Sequence, residues 1–382
     1  MPFTNLHWFQ KTNKELSEVY LTLYLRKFAI SLINIFIPIY LYKIGYTLNQ
    51  VIYFVITWFL FQAIGGYIAS KISYKIGTKH TIVISVPLLI LFFLFLYEAP
   101  KLGNFIYLIA PLIGLSNGFY WVPTNAVFAK NSHKKSPGKE TSYLMISSRL
   151  AGVLAPLIGG IIISNLKFHH LLSIVIVLLF LSLIPLFLSK DYACKKKDMW
   201  LKLLKNNIRY FIGYFFQGAI VISTFLLIPF LMLSLTNSYV SIGLVSTILL
   251  VGSFAVILIV GKLTDKFEGK KLMKLGGAIV SAAFLILSYS KNANVVYLTT
   301  FIIGISTIMI YLPLFAISSI VSKKYNETEF MMLREFALCA GRIFMLIILL
   351  ALPAFKIKIG FMIAALSSLY FVLFKIRTSV NI

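Results

Sequence analysis

Residues 70–82 read SKISYKIGTKHTI and residues 261–273 read GKLTDKFEGKKLM, the same frame with one residue inserted. Ser70 and Gly261 lie 191 residues apart, as do Pro38 and Pro229. Gly114 and Gly304 lie 190 apart, as do Pro123 and Pro313, and Lys139-Glu140-Thr141 meets Asn326-Glu327-Thr328 at 187. One offset holding to within a few residues over a chain of 382 marks a duplicated unit. The chain reads as two copies of one half.

Between these landmarks the sequence is apolar. Hydrophobic residues make up 59% of it and the mean hydropathy is +0.91, well above soluble composition. Stretches able to cross a hydrocarbon core of ~30 Å run over 19–43, 47–70, 81–97, 103–128, 142–165, 171–189, 208–235, 238–261, 272–290, 294–322, 328–352 and 358–375. They are apolar all round rather than alternating. Backbone buried in lipid must satisfy its own hydrogen bonds, so each span is predicted to be a helix and not a barrel strand. The expected fold is an all-α membrane protein of twelve transmembrane helices in two six-helix bundles, 1–190 and 208–382, joined by a linker over 191–207. An even number of helices per copy inserts both copies in the same orientation, a parallel internal repeat.

The net charge of +25 would suggest an acidic partner in a soluble protein. Here it has an address. Of 36 Lys and Arg, 25 fall in 1–18, 71–80, 129–141, 190–209, 262–274, 323–324 and 375–382, and only 6 in the alternate loops. That asymmetry follows the positive-inside rule, placing both termini in the cytoplasm of a multi-pass plasma-membrane protein. Nucleic-acid binding is not needed to explain the charge; anionic lipid headgroups are the natural neighbours. Trp200, Leu201, Leu203 and Leu204 beside Lys202 and Lys205 suggest a short amphipathic helix in the linker. Cys194 and Cys339 form no framework, and His7, His80, His133, His169 and His170 lie outside the spans, so no metal site is expected. No cleaved signal peptide is read at the N-terminus.

The second loop copy carries Gly261, Leu263, Asp265, Lys266, Gly269, Lys270 and Lys271 in the order Gly-x-Leu-x-Asp-(Arg/Lys)-x-Gly-(Arg/Lys)-(Arg/Lys), with one insertion. The first copy keeps Lys75, Gly77 and Lys79 but has Ser70 for Gly and Tyr74 for Asp. The fifth span carries Gly152, Pro156, Gly159 and Gly160. These motifs and the parallel repeat resemble the major facilitator superfamily over essentially the whole chain. The resemblance implies a secondary transporter whose two bundles rock about a midplane site, with no cofactor. It also implies that Asp265 latches the inner face on the N–H groups of a neighbouring helix N-terminus. By pseudo-symmetry that neighbour is expected to be the eleventh span, starting near Thr328. The bland alternative is that Asp265 balances Lys262, Lys266, Lys270 and Lys271. Gly152, Pro156, Gly159 and Gly160 are expected on one helical face, as a pivot or simply for tight packing.

Charges inside spans are costly and therefore informative. They are Arg26 and Lys27 in the first span, Arg149 in the fifth, and Arg334, Glu335 and Arg342 in the eleventh. In one reading the arginines line a cavity for an anion, matched by guanidinium forks, with Glu335 as counter-ion or proton carrier. In the other, Arg26 and Lys27 snorkel to the surface and Glu335 fastens the inner gate; for Lys27 snorkelling is expected. Asn117 and Trp121 correspond at offset 190 to Thr307 and Tyr311, Asn34 to Phe225, and Arg26 to Gln217. Such pairs suit a midplane pocket or interhelical hydrogen bonds. The expected function is alternating-access, ion-coupled transport of a small organic anion or amphiphile by a monomer. Efflux of apolar drug-like compounds, or a non-transporting receptor or scaffold on the same fold, are the alternatives. No nucleotide-binding loop or catalytic cluster is seen, so an enzyme is not expected.

Overall fold

Every element among the described residues is helical, as backbone satisfaction in lipid demands. The computed structural model describes residues 14–132, 136–150, 152–183, 200–266, 269–352 and 356–374. In the first half α1 (Lys14–Ile33), α2 (Phe36–Lys43), α3 (Leu48–Ile76), α4 (Thr78–Tyr97) and the short α5 (Ala99–Leu102) lead through a 3₁₀ turn, Gly103–Leu108, into α6 (Ala110–Asn131). Then follow α7 (Pro137–Leu150), α8 (Ala155–Leu166) and α9 (Phe168–Leu183). The second half holds α10 (Trp200–Ile222), a π-helical turn Ser223–Leu227, α11 (Ile228–Thr236), α12 (Tyr239–Lys266), α13 (Gly269–Tyr289), α14 (Ala293–Ser322), α15 (Glu327–Ala351) and α16 (Lys356–Leu373).

Among the described residues, nine stretches are long and apolar enough to cross a membrane. The other three predicted spans fall short for identifiable reasons. The fifth is broken into α7 and α8, the sixth (α9) is described over only 16 residues, and the eleventh (α15) carries Glu327, Glu329, Arg334, Glu335 and Arg342. The linker's predicted amphipathic helix is the lead-in of α10, set off by non-helical Asn207, with Leu203 buried and Leu201 exposed. Cys194, His7 and His133 lie outside the described residues.

Helix breaks obey the repeat in part. The first column breaks at Asn34-Ile35, between α1 and α2, and the seventh passes through its π-helical turn around Phe225, 191 residues on. The α7–α8 break has a local cause. In a continuous helix the Pro156 ring would collide with the carbonyl four residues back, at Gly152. The amide of Leu157 donates instead to Thr247 Oγ1 of α12 at 3.2 Å.

The packing around the fifth span corrects the expected single stripe. Gly152 abuts Ser31 and Gly159 the carbonyl of Leu32, both on α1, whereas Pro156 and Gly160 face α12. The bundles meet along two pseudo-equivalent seams, α7 and α8 against α12, and α3 and α6 against α15. At the first seam a Cβ on Gly160 would lie 2.5 Å from the Tyr239 carbonyl oxygen, and one on Gly243 2.3 Å from that of Pro156. Backbone rests on backbone there, so overpacking has no flexible neighbour to absorb it. Gly160→Ala should therefore destabilise by ~1–3 kcal/mol, read as a lower Tm in detergent. Gly213→Ala, whose Cβ would meet only side-chain atoms at 3.6 Å, should show no fall; equal falls would contradict the seam.

Candidate functional site

The eleventh column places the interior acid. Glu335 is 2% exposed and faces α3, where Gln62 Nε2 donates to its Oε1 at 2.6 Å across the two halves. Arg334 and Arg342, on the same helix, approach its two oxygens at 3.6 Å each. That is charge contact rather than hydrogen bonding. Both guanidiniums rest instead on rings: Arg342 over Phe59 at 4.8 Å, Arg334 over Tyr214 at 4.8 Å and Phe315 at 5.1 Å. Cation–π contact in a desolvated site recovers part of the lost hydration.

Among the described residues, the first half contributes cations with no acid beside them. Arg26 is 1% exposed, donates to Ser116 Oγ at 3.4 Å and stacks on Tyr120 at 3.8 Å. Ser116 is free to accept because its own hydroxyl donates to the Ser85 carbonyl. Lys27, expected to snorkel, instead lies over Trp121 at 5.4 Å, with Arg26 and Arg149 in electrostatic range. Arg149 donates to Ser253 on α12 of the other half. The Tyr311 hydroxyl, on α14, feels both Arg149 and Arg342. A continuous row thus crosses the interface: Arg26, Lys27, Arg149, Tyr311, Arg342, Glu335, Arg334. Trp121 and Tyr311, paired by the repeat, each face cations.

Other expected residues stand apart. Thr307 bonds back to the carbonyls of Ile303 and Gly304, Asn34 sits half-buried at the α1–α2 break, and Asn117 is half-buried. Gln217 is buried with no partner for its carbonyl oxygen among the described residues. Gln62, Ser253, Ser116 and Tyr120 were not anticipated. Gln62 alone had a signal, as an amide in the middle of the apolar second span. Among the described residues no group of His, Cys, Asp and Glu is placed to hold a metal ion.

Both ends of the interface are latched. Asp265 accepts from the first-turn amides of α7, Gly138 at 2.7 Å and Lys139 at 2.9 Å. The expected partner, α15, is therefore corrected to α7, because each second column packs on the fifth column of the opposite half. The first copy does reach α15: Tyr74 OH donates to Asn326 Oδ1 at 3.1 Å, which also caps the amide of Glu329. Lys323 adds a bond to the Ser132 carbonyl at the end of α6. Gly77, at φ +92, turns the first loop, while Gly261 packs on Ser142 and Gly269 on Pro313. Lys266 is exposed and Lys270 half-buried beside them. On the opposite face Lys43 donates to Asn237 at 2.5 Å and Lys356 to Asn49 at 2.6 Å, again between halves.

Two helical bundles closed over a buried charge row define a membrane transporter of the two-bundle class. The sequence profile of the Major Facilitator Superfamily matches residues 19–346, and the chain belongs to that family. It is 24% identical over 343 residues to the uncharacterized protein YqgE of Bacillus subtilis, covering 85% of this chain and 80% of that one. Its fold is similar to the xylose:proton symporter XylE (TM-score 0.72, 12% identity, 94% of each chain). It is also similar to the Escherichia coli fucose:proton symporter FucP (0.69, 14%, 94% and 97%) and to the human organic anion transporter MFSD10 (0.66, 11%, 94% and 98%).

A carboxylate on a helix N-terminus contributes ~0.3–2 kcal/mol, from fully exposed to partly buried, the size of effect that can bias an open–closed equilibrium. Asp265→Ala, in a Cys194→Ser background, should raise maleimide labelling of buried Cys339 by roughly 2- to 30-fold, the same energy expressed as a population. Unchanged labelling would mean that Asp265 does not hold the gate.

Proposed function

We propose that this transporter carries a small organic anion by alternating access, coupled to protons through Glu335. The observation behind the reading is the imbalance of the charge row: among the described residues it holds five cationic side chains and one carboxylate. A buried cation without a counter-charge is expensive, and guanidinium forks match carboxylate and phosphate. The positive-inside asymmetry favours a plasma-membrane orientation with cytoplasmic termini and the latches of Asp265 and Tyr74 on the cytoplasmic face.

Glu335 has the position a coupling group requires. Its carboxylate faces Gln62 on α3, with Arg334, Arg342 and Cys339 on its own helix. Protonation removes the charge that holds Arg342, freeing that guanidinium for the solute; loss of the proton returns Arg342 to Glu335 and expels the anion. The fucose:proton and xylose:proton symporters share this fold, which is consistent with coupling and silent on the solute.

In proteoliposomes, Glu335→Gln should abolish pH-gradient-driven accumulation of an anion while keeping exchange of that anion across the membrane. Accumulation surviving in Glu335→Gln would remove the coupling role. Arg342→Ala should lower anion uptake at least about tenfold, the equivalent of ~1.4 kcal/mol. Intact uptake of every anion, with loss of a neutral solute instead, would overturn the anion reading.

A further inference from the structure

Positive charge in the row exceeds what the surrounding residues neutralise, and the excess lies on both sides of the interface. Arg26, Lys27 and Arg149 belong to the first half, with no carboxylate among their contacts within the described residues. Arg334 and Arg342 belong to the second and share Glu335 at 3.6 Å, beyond hydrogen-bond reach. The Nε atoms of Arg26, Arg334 and Arg342 are buried with no hydrogen-bond partner among the described residues. So is the Tyr311 hydroxyl, which has an Arg149 guanidinium from one half and an Arg342 guanidinium from the other in electrostatic range.

We infer that the solute is a dianion that bridges the two halves, one charge on Arg149 and the other on Arg342, with Tyr311 donating its hydroxyl between them. This rests on the anion reading above and narrows it. A monoanion satisfies one half and leaves the other guanidinium bare. A dianion engages both, so its binding also draws the bundles together over the site. Dicarboxylates and phosphate monoesters share this chemistry, since each presents two negative charges to guanidinium forks.

Binding to the purified full-length protein at about pH 7.5, above the second phosphate pKa of ~6, separates the possibilities. The probes are matched pairs: succinate and monomethyl succinate, phthalate and monomethyl phthalate, phenyl phosphate and methyl phenyl phosphate. At least one dianion should bind about tenfold or more tightly than its monoanionic ester, one extra charge-assisted contact. Arg149→Gln and Arg342→Gln should each cut that preference to below about threefold, and whichever variant stays monodisperse is decisive. Equal binding of dianion and ester in every pair overturns the inference and leaves the anion reading standing. A preference that survives in the variants overturns the placement on Arg149 and Arg342. No binding by any of these anions overturns both.

Discussion

The structure depends on one constraint: charge buried between two halves must be neutralised where water is excluded. Glu335 meets Gln62 across the interface at 2.6 Å but meets Arg334 and Arg342 only at 3.6 Å. Removing an ion from water costs several kcal/mol even after relaxation. Ring faces under Arg26, Arg334 and Arg342 offset part of that. On the proposed anion reading, the rest is left for a mobile counter-charge. A site that is incomplete without its ligand is what a carrier needs, since binding then stabilises the closed form.

Around that site the repeat supplies a frame and its departures supply function. Backbone-to-backbone packing of Gly114 of α6 against α3 and of Gly304 of α14 against α12 is the same joint made twice. The latches are also the same joint, but chemically unlike: a carboxylate at Asp265 and a phenol at Tyr74. The Asp265 latch is screened and salt-sensitive; the Tyr74 bond is neutral. The two seams therefore respond differently to ionic conditions while sharing one geometry.

Much of this was legible in the sequence. Hydropathy located the helices, and the offset between Pro123 and Pro313 announced the bundles, because both follow from local physics. Interior charges were visible as breaches of an apolar pattern. Orientation around a helix and pairing between helices were not. Depth alone assigns Lys27 to the surface, yet its azimuth turns it onto Trp121. For Asp265 the repeat offers two equivalent fifth columns, and only the exchange of columns between halves selects α7 over α15. The small residues of the fifth span cluster on a helical wheel, but the wheel does not show that α1 takes Gly152 and Gly159 while α12 takes Pro156 and Gly160. Gln62 lies 273 residues from Glu335, and no local pattern joins them.

Rocking about the charge row is tested most directly by spin-label distances across each face in lipid nanodiscs. One pair sits at Lys75 and Lys324, on the face with the Asp265 latch, and one at Lys101 and Asn292 on the opposite face; all four positions are exposed. Releasing the latch with Asp265→Ala should lengthen the first distance and shorten the second in the same population. Two faces that open together, or an opposite face that does not respond, would contradict the account.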